Sequence, residues 1–348
     1  MPTKLKKIKQ WENINFDTII DVRSPSEYKE DHIIGSINCP VLSDKERIEV
    51  GTIYKKESTF RAKIIGSSLT ARNIANHIES KFINRKGSWR PLIYCWRGGQ
   101  RSKSFAIILS EVGWRTYQLD GGYKKYRNNV INYLNKIGSK LKVILISGKT
   151  GSAKTKILQN IVSHGGQILD LENLANHKGS LLGKIPGFEQ PSQKLFESRL
   201  FYELKKLDLR KNIYVEAESS KIGNLHIPKS IWSKMIKSPR IEIKADVKLR
   251  SSFLIKDYDY MCNDPELIKP IINGLKNKLS KKLIGEWLVL INENKWFDLT
   301  KSFLENHYDP SYSSNTIKND RKIIKQIEAK TLSDFDINRI AKLIVSQK

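Results

Sequence analysis

Two short stretches of this chain carry residues whose types and spacing could do chemistry. The first is CWRGGQRS, Cys95 to Ser102, directly behind the apolar run Pro91-Leu92-Ile93-Tyr94. The nucleophilic form of cysteine is the thiolate, and ionisation is favoured where backbone N–H groups and cations surround the sulfur, as they do where a strand turns into a helix N-terminus. Gly98 and Gly99 permit the positive φ angles that turn successive N–H groups inward on an anion. Arg97 and Arg101 add charge, and Ser102 is placed to cap the helix that follows. The pattern is an anion cradle with sulfur at its floor, with Cys95, Arg97 and Arg101 as the candidate catalytic set. A plain buried cysteine ending a core strand is the alternative, and two glycines and two arginines within the next six residues argue against it.

The second stretch is GKTGSAKT, Gly148 to Thr155. It fits the phosphate-loop pattern G-x-x-x-x-G-K-[ST] except that Ala153 stands where the second glycine belongs. The strand-like KVILIS precedes it and the helical KILQNIVSHGG follows. Backbone N–H groups from Gly148, Gly151 and Ser152, the helix dipole and the Lys154 ammonium therefore converge on one phosphate group, with Thr155 available to Mg²⁺. If position 153 requires positive φ, its alanine is strained. In IYVEAES, Glu216 and Glu218 end a strand, where a carboxylate could hold a metal or its water, or be a solvated acid. LANHKGS puts His177, Lys178 and Ser180 in a loop, where contacts to phosphate or substrate and an ordinary capped turn stand as equal readings. Tyr308, Tyr312 and Trp296 could stack on bases or pack in a core.

Both loops need elements to hold them. TIIDVRS reads as a strand and SPSEYKED as a helical turn that starts at Pro25 behind Ser24. SLTARNIANHIESKF follows as a helix, then the strand PLIYC, the helix SKSFAIILSEVG, the strand TYQLDGG and the helix YKKYRNNVINYL. The polar NKIGSKL reads as a linker, dividing the chain into domains 1–137 and 138–348. In the second domain QILDL, NIYVEA and RIEIKAD continue the strands after KVILIS. Beyond residue 265 the pattern turns helical, with Ile272, Leu275, Leu279, Leu283, Trp287 and Leu290 as a core-packing stripe. Alternating β and α elements call for an α/β class built on parallel sheets, with a helical C-terminal region.

The 62 Lys and Arg exceed the 36 Asp and Glu by 26 charges, a field that attracts a polyanion over roughly a Debye length. Nucleic acid is the obvious partner; base bias in the genome would enrich glutamate as well as lysine and so does not explain the imbalance. Cys39, Cys95 and Cys262 are too widely spaced for a disulfide framework or a clustered zinc site, so reduced thiols without a disulfide partner are expected. With no long apolar run and no signal-like N-terminus, a soluble cytoplasmic protein without membrane attachment is the expectation.

The stretch DVRSPSEYKEDHIIGSINCP, together with the cysteine loop, resembles the rhodanese family over about residues 10 to 130. That resemblance implies a persulfide or perselenide on Cys95. The Cys-x5-Arg spacing from Cys95 to Arg101 is equally similar to rhodanese-fold and tyrosine phosphatases, so a phosphatase, or a sulfurtransferase with a regulatory nucleotide-binding domain, stays open at this point. The two loops in one basic chain, with LDGGYKKYR, DLENLANHKGSLLG, VEAESSKIG and HYDPSY, resemble the bacterial tRNA 2-selenouridine synthase family over nearly the whole length. The resemblance implies a rhodanese-like domain joined to a P-loop NTPase-like domain, and a transferase acting on the wobble uridine of tRNA. By it, 2-thiouridine is S-geranylated with geranyl diphosphate, and selenium from selenophosphate, supplied by a selenophosphate-producing enzyme, then displaces the geranylthio group. Lys154 and Thr155 would grip the diphosphate, with Mg²⁺ as its counter-ion, and Cys95 with Arg97 and Arg101 would handle the selenium donor. A third reading is a non-enzymatic RNA-binding protein whose loops have decayed.

Overall fold

Two all-parallel five-stranded sheets organise the chain in the computed structural model, which describes residues 5–346 apart from 13, 181, 218, 276–278 and 314–321, and gives residues 312 and 313 by backbone alone. The first sheet has the order β1-β5-β4-β2-β3, from β1 (Lys6–Ile8), β2 (Thr18–Asp21), β3 (Ile37–Asn38), β4 (Pro91–Tyr94) and β5 (Tyr117–Leu119). The second has the order β12-β11-β6-β8-β7, from β6 (Lys142–Ser147), β7 (Gln167–Leu169), β8 (Asn212–Glu216), β11 (Arg240–Lys244) and β12 (Ile323–Glu328). A small antiparallel hairpin of β9 (Lys221–Ile222) and β10 (Leu225–His226) stands apart. All four residues of β4 are buried, as expected for a central parallel strand covered on both faces, and β6 is nearly as apolar. Each chemical loop leaves the C-terminal end of one of these central strands, the position where open α/β sheets present ligand sites.

By packing, the chain divides into one unit of residues 1–133 with Pro191–Tyr202 and another of Leu134–Gln190 with Glu203–Lys348. In the first unit, helices Gln100–Glu111 and Thr59–His77 help cover the sheet, with Ile74, Phe82, Phe105 and Leu109 in its core. The segment Pro191–Tyr202 joins this unit although it lies far along the chain. Phe196 and Leu200 are fully buried, Tyr133 meets Phe201 edge-on at 5.0 Å, and Arg127 pairs with Glu197. NKIGSKL is no loose linker. Helix Gly122–Ile137 runs into a 3-10 turn at Gly138–Lys140, and a Cβ on Gly138 would lie 2.1 Å from the Ser230 carbonyl oxygen, so its glycine serves close packing rather than flexibility.

In the second unit, Ile157, Leu158 and Ile161 of helix Lys154–Ile161 pack against Ile337, Ile340 and Ile344 of the C-terminal helix Asp334–Val345. The region after residue 265 is helical but not wholly so. β12 adds a strand beside β11, and its mostly exposed residues gave little apolar signal. The core-packing stripe is present, yet the backbone forms two helices, Lys269–Gly274 and Lys281–Asn292. Ile284 and Ile291 are more deeply buried than Leu283 and Leu290. Among the described residues no helix is long and apolar enough to cross a membrane.

At the C-terminal end of β2 lies a buried charge network. Arg23 Nη2 donates to Asp21 Oδ2 at 2.6 Å and to the Asp31 carbonyl at 2.6 Å, and its guanidinium sits 3.9 Å from the Tyr123 ring centroid. Such a pair tolerates burial only because hydrogen bonds saturate it. Asp31 is 1 % exposed, and burial lifts its carboxyl to about 6 despite the Tyr123 hydroxyl donating at 2.8 Å and the Arg127 guanidinium forming an ion pair at 3.8 Å. The fold therefore binds this proton more tightly than the unfolded chain, and the stabilisation is complete below the ordinary value of 3.8 and lost as pH rises through about 6. Replacing Asp31 with Asn, neutral throughout, should remove that pH dependence, worth at most about 3 kcal/mol. Urea unfolding of wild type and D31N across this range checks it, and parallel curves would refute it.

Candidate functional site

Gly98 turns the cysteine loop with φ +68°, and a Cβ there would meet the Leu119 carbonyl at 2.6 Å. Gly122, φ +53°, would bring a Cβ to 2.2 Å from the Cys95 carbonyl, so the second glycine of LDGG is as necessary as those in the loop. Gly99, by contrast, has φ −93° and is itself the N-cap of helix Gln100–Glu111. Ser102 therefore does not cap this helix. It lies in the first turn, where its hydroxyl is 3.1 Å from Cys95 Sγ and 3.2 Å from the Gly99 carbonyl, because the loop closes one turn earlier than the sequence pattern implies. Cys95 Sγ also accepts the Gly99 N–H at 3.2 Å. Gln118 Nε2 fastens the arrangement, donating to the Gly98 carbonyl at 3.0 Å and to Ser102 Oγ at 2.8 Å.

Cys95 is 3 % exposed and belongs to the apolar cluster of its unit, so the sulfur is both the end of a core strand and the acceptor of the Gly99 N–H. The exposed residues Trp96, Arg97 and Gln100 surround it in sequence. The two arginines differ. Arg97 has no ion pair among the described residues, whereas Arg101 Nη1 donates to Glu27 Oε2 at 2.8 Å. Burial works to raise the Glu27 carboxyl, but Arg101, the Ser24 N–H and Arg47 at 3.1 Å outweigh it and hold it below the usual range. Arg101 is thus engaged by Glu27, whereas Arg97 is exposed. Glu27 and Gln118 are absent from the sequence-derived set; Glu27 lay in the Asp-x-Arg segment, and Gln118 in a strand with no visible signal.

In the phosphate loop Ala153 adopts φ +56°, the left-handed conformation that its pattern position required of glycine. Gly148, Gly151, Lys154 and Thr155 line a cavity of about 460 Å³, with Ser152 buried beneath. Lys154 has no ion-pair partner among the described residues. Thr155 Oγ1 donates to Glu172 Oε2 at 3.2 Å, and Asp170, at the end of β7, also lines the cavity. These hard oxygen donors suit Mg²⁺, although no group of three or more His, Cys, Asp or Glu is assembled to hold a metal among the described residues. The carboxylate that Thr155 meets is thus Glu172, from the DLEN stretch. Glu216 is 1 % exposed and does not line the cavity, while Ala217 and Ser219 do; Glu218 lies outside the described residues.

His177 and Lys178 both reach this cavity, and both are also parts of an ordered turn. His177 Nδ1 accepts the Gly179 N–H at 3.0 Å, and Lys178 Nζ donates to Asp257 Oδ2 at 2.9 Å while lying 4.3 Å from the Tyr258 ring centroid. The loop's other edge is held by HYDPSY. Asp309 accepts Lys149 Nζ at 3.0 Å and both Arg250 Nη groups at 2.9 Å, and Arg250 Nη1 also donates to the Thr150 carbonyl at 3.1 Å. Burial opposes ionisation of Asp309, but its two cations keep the carboxyl below the usual range. Arg250 has no motif to announce it. Tyr308 and Trp296 are partly buried against the helical core, and the side chain of Tyr312 lies outside those described.

Comparison with known proteins matches residues 141–270 to the family model described as the tRNA 2-selenouridine synthase AAA domain, and residues 1–129 to the rhodanese-like domain. The tRNA 2-selenouridine synthase of Nitrosomonas europaea is 33 % identical over 246 residues, covering 69 % of this chain and 63 % of the relative. That of Psychromonas ingrahamii is 32 % identical over 241 residues, covering 69 % and 64 %. For these two the match spans just under two thirds of the relative's length. The protein of the same name from Shewanella frigidimarina is 31 % identical over 337 residues, covering 88 % of this chain and 91 % of the relative.

The strain at Ala153 is open to measurement. Ala153→Gly relieves a left-handed alanine at a cost in unfolded-chain entropy, for a net gain of about 1 kcal/mol. Chemical unfolding should show it, and a loss of stability would mean that the alanine methyl's packing outweighs its backbone strain.

Proposed function

Because the chain belongs to the tRNA 2-selenouridine synthase family, we propose that it is a transferase that replaces the sulfur of wobble 2-thiouridine in tRNA by selenium through an S-geranyl intermediate. In the first transfer the thiocarbonyl sulfur attacks C1 of geranyl diphosphate. The C–S bond forms, the C1–O bond breaks, pyrophosphate leaves with the electron pair, and the base gives up its N3 proton. In the second, selenium of selenophosphate bonds to C2 of the base as the geranylthiolate departs with the electron pair of the C2–S bond, and water then attacks phosphorus, breaking the P–Se bond to release phosphate and leave 2-selenouridine.

The observation that carries this reading is Lys154 at a helix N-terminus, lining a cavity of about 460 Å³ without an ion-pair partner among the described residues. A leaving diphosphate develops charge on its bridging oxygen, and fixed N–H donors with an ammonium stabilise that charge without reorganising. Mg²⁺ would neutralise a further share when bound, and Thr155 and Glu172 are the residues that would hold it or its waters. The cysteine loop supports a role with the selenium donor. Its Gly99 N–H and Ser102 hydroxyl address Cys95 Sγ, and Arg97 is free to attract a tetrahedral anion. The excess of 26 positive charges supplies the sequence-independent part of tRNA affinity, and a tRNA substrate with reduced thiols fits the cytoplasm.

The test is to incubate the protein with geranyl diphosphate, selenophosphate and thiolated tRNA, then digest the tRNA and weigh its nucleosides. A geranyl adduct followed by selenouridine is expected. Lys154→Ala should slow geranylation about 100-fold or more, whereas Cys95→Ala should leave geranylation and abolish selenium incorporation. No mass change at the wobble uridine overturns the reading, and rapid phosphoester or thiosulfate turnover without tRNA would favour the phosphatase or sulfurtransferase instead.

A further inference from the structure

A polar side chain, Gln118, is buried outright behind the cysteine loop. It lies on β5 between β1 and β4, opposite Lys7 on one side and Ile93 on the other, and is fully shielded from solvent. Burying a primary amide is costly unless its hydrogen bonds are made. Here Nε2 donates to the Ser102 hydroxyl at 2.8 Å and to the Gly98 carbonyl at 3.0 Å, with the Gly99 carbonyl a third acceptor at 3.3 Å. Oε1 has no hydrogen-bond partner among the described residues. The opposite amide orientation would set Oε1 against two carbonyl oxygens, so the N–H groups must face the loop. An amide oxygen is thus left unpaired while the donors are aimed at the backbone and hydroxyl around Cys95.

The Ser102 hydroxyl has a single hydrogen and two acceptors, the Gly99 carbonyl at 3.2 Å and Cys95 Sγ at 3.1 Å. With Cys95 a neutral thiol, its S–H donates to Ser102 Oγ and the serine hydrogen goes to the Gly99 carbonyl. Once the sulfur is ionised it has no hydrogen to give, and the serine hydroxyl turns to it beside the Gly99 N–H. The Gly99 carbonyl is then short of a donor, and the Gln118 amide, already within 3.3 Å, supplies one. We propose that Gln118 is a positioning residue for Cys95: acting through Ser102, it lets the loop exchange donors as negative charge comes and goes on the sulfur. The place of Gln118 in turnover rests on the reading of Cys95 as the chalcogen carrier, whereas the exchange of hydrogen bonds is tested on the thiol alone.

Alkylation of Cys95 by iodoacetamide in the full chain, followed against pH and read by mass at each cysteine, reports the anionic sulfur. Ser102→Ala should raise the midpoint of that curve by about one pH unit, a tenfold loss of reactive sulfur below it, as for one hydrogen bond to a charged group. Gln118→Met, which matches the side chain in length without its N–H groups, should raise the midpoint by at least about half a unit. The double variant should shift no further than Ser102→Ala, because the two residues act in series. Arg97 and Arg101 on the loop, Glu27 paired with Arg101, and Arg23 against the Tyr123 ring are common to all these proteins, so the shifts report donors rather than charges. An unmoved midpoint in either single variant, or additive shifts in the double, overturns the assignment. A wild-type measurement avoids any folding defect of the variants: the side-chain amide resonances of Gln118 should move with pH along the Cys95 alkylation curve and lose that dependence in Cys95→Ser. Resonances that ignore the curve refute the exchange.

Discussion

The Asp309 carboxylate, gripped by Arg250 from within and Lys149 from outside, is the contact that braces the loop of residues 148–155. Through Arg250 it reaches the Thr150 carbonyl, and so fixes the backbone immediately before Gly151, where φ is +85°. A loop that must hold several N–H groups toward one anion cannot be left to its own entropy. The residue before Asp309 is Tyr308, which lines both this loop's cavity and a smaller apolar one. The buried guanidinium has a cost of its own, since removing Asp309 would strand Arg250 in a nearly closed environment.

The two glycine-bearing loops are held in shape by different means. The phosphate loop uses an ammonium at the start of its helix and tolerates a left-handed alanine, which the surrounding packing must hold in place. The cysteine loop uses glycine at positions 98 and 122, where neighbouring carbonyls leave no room for a Cβ, and ties the turn from behind with Gln118. Its sulfur has little exposure. Arg101 is committed to Glu27 by an ion pair.

Much of this was legible in advance because strand, tight turn and helix N-terminus leave a local signature in glycine spacing and apolar runs. That is how Cys95, Lys154 and the central strands could be placed, and why positive φ at position 153 could be anticipated from the one departure from pattern. Long-range partners were not legible. Arg250, Asp309, Glu172 and Gln118 act through contacts that only the assembled sheet creates, and no spacing rule links residue 150 to residue 250. The serine at 102 looked like a cap because its type and neighbourhood allow one; the backbone closed a turn earlier and gave the hydroxyl to the sulfur. β12, with mostly exposed residues, carried no alternation strong enough to mark it as a sheet edge.

The return of Pro191–Tyr202 to the first unit bears on how this protein could be dissected. A fragment cut at residue 137, the obvious place by inspection, would carry Tyr126 and Tyr133 stripped of Phe201, and Arg127 deprived of Glu197. The complementary fragment would display an orphaned greasy helix. Autonomous halves are therefore a poor starting point for separating the two chemistries; knocking out one loop within the intact polypeptide is the sounder route.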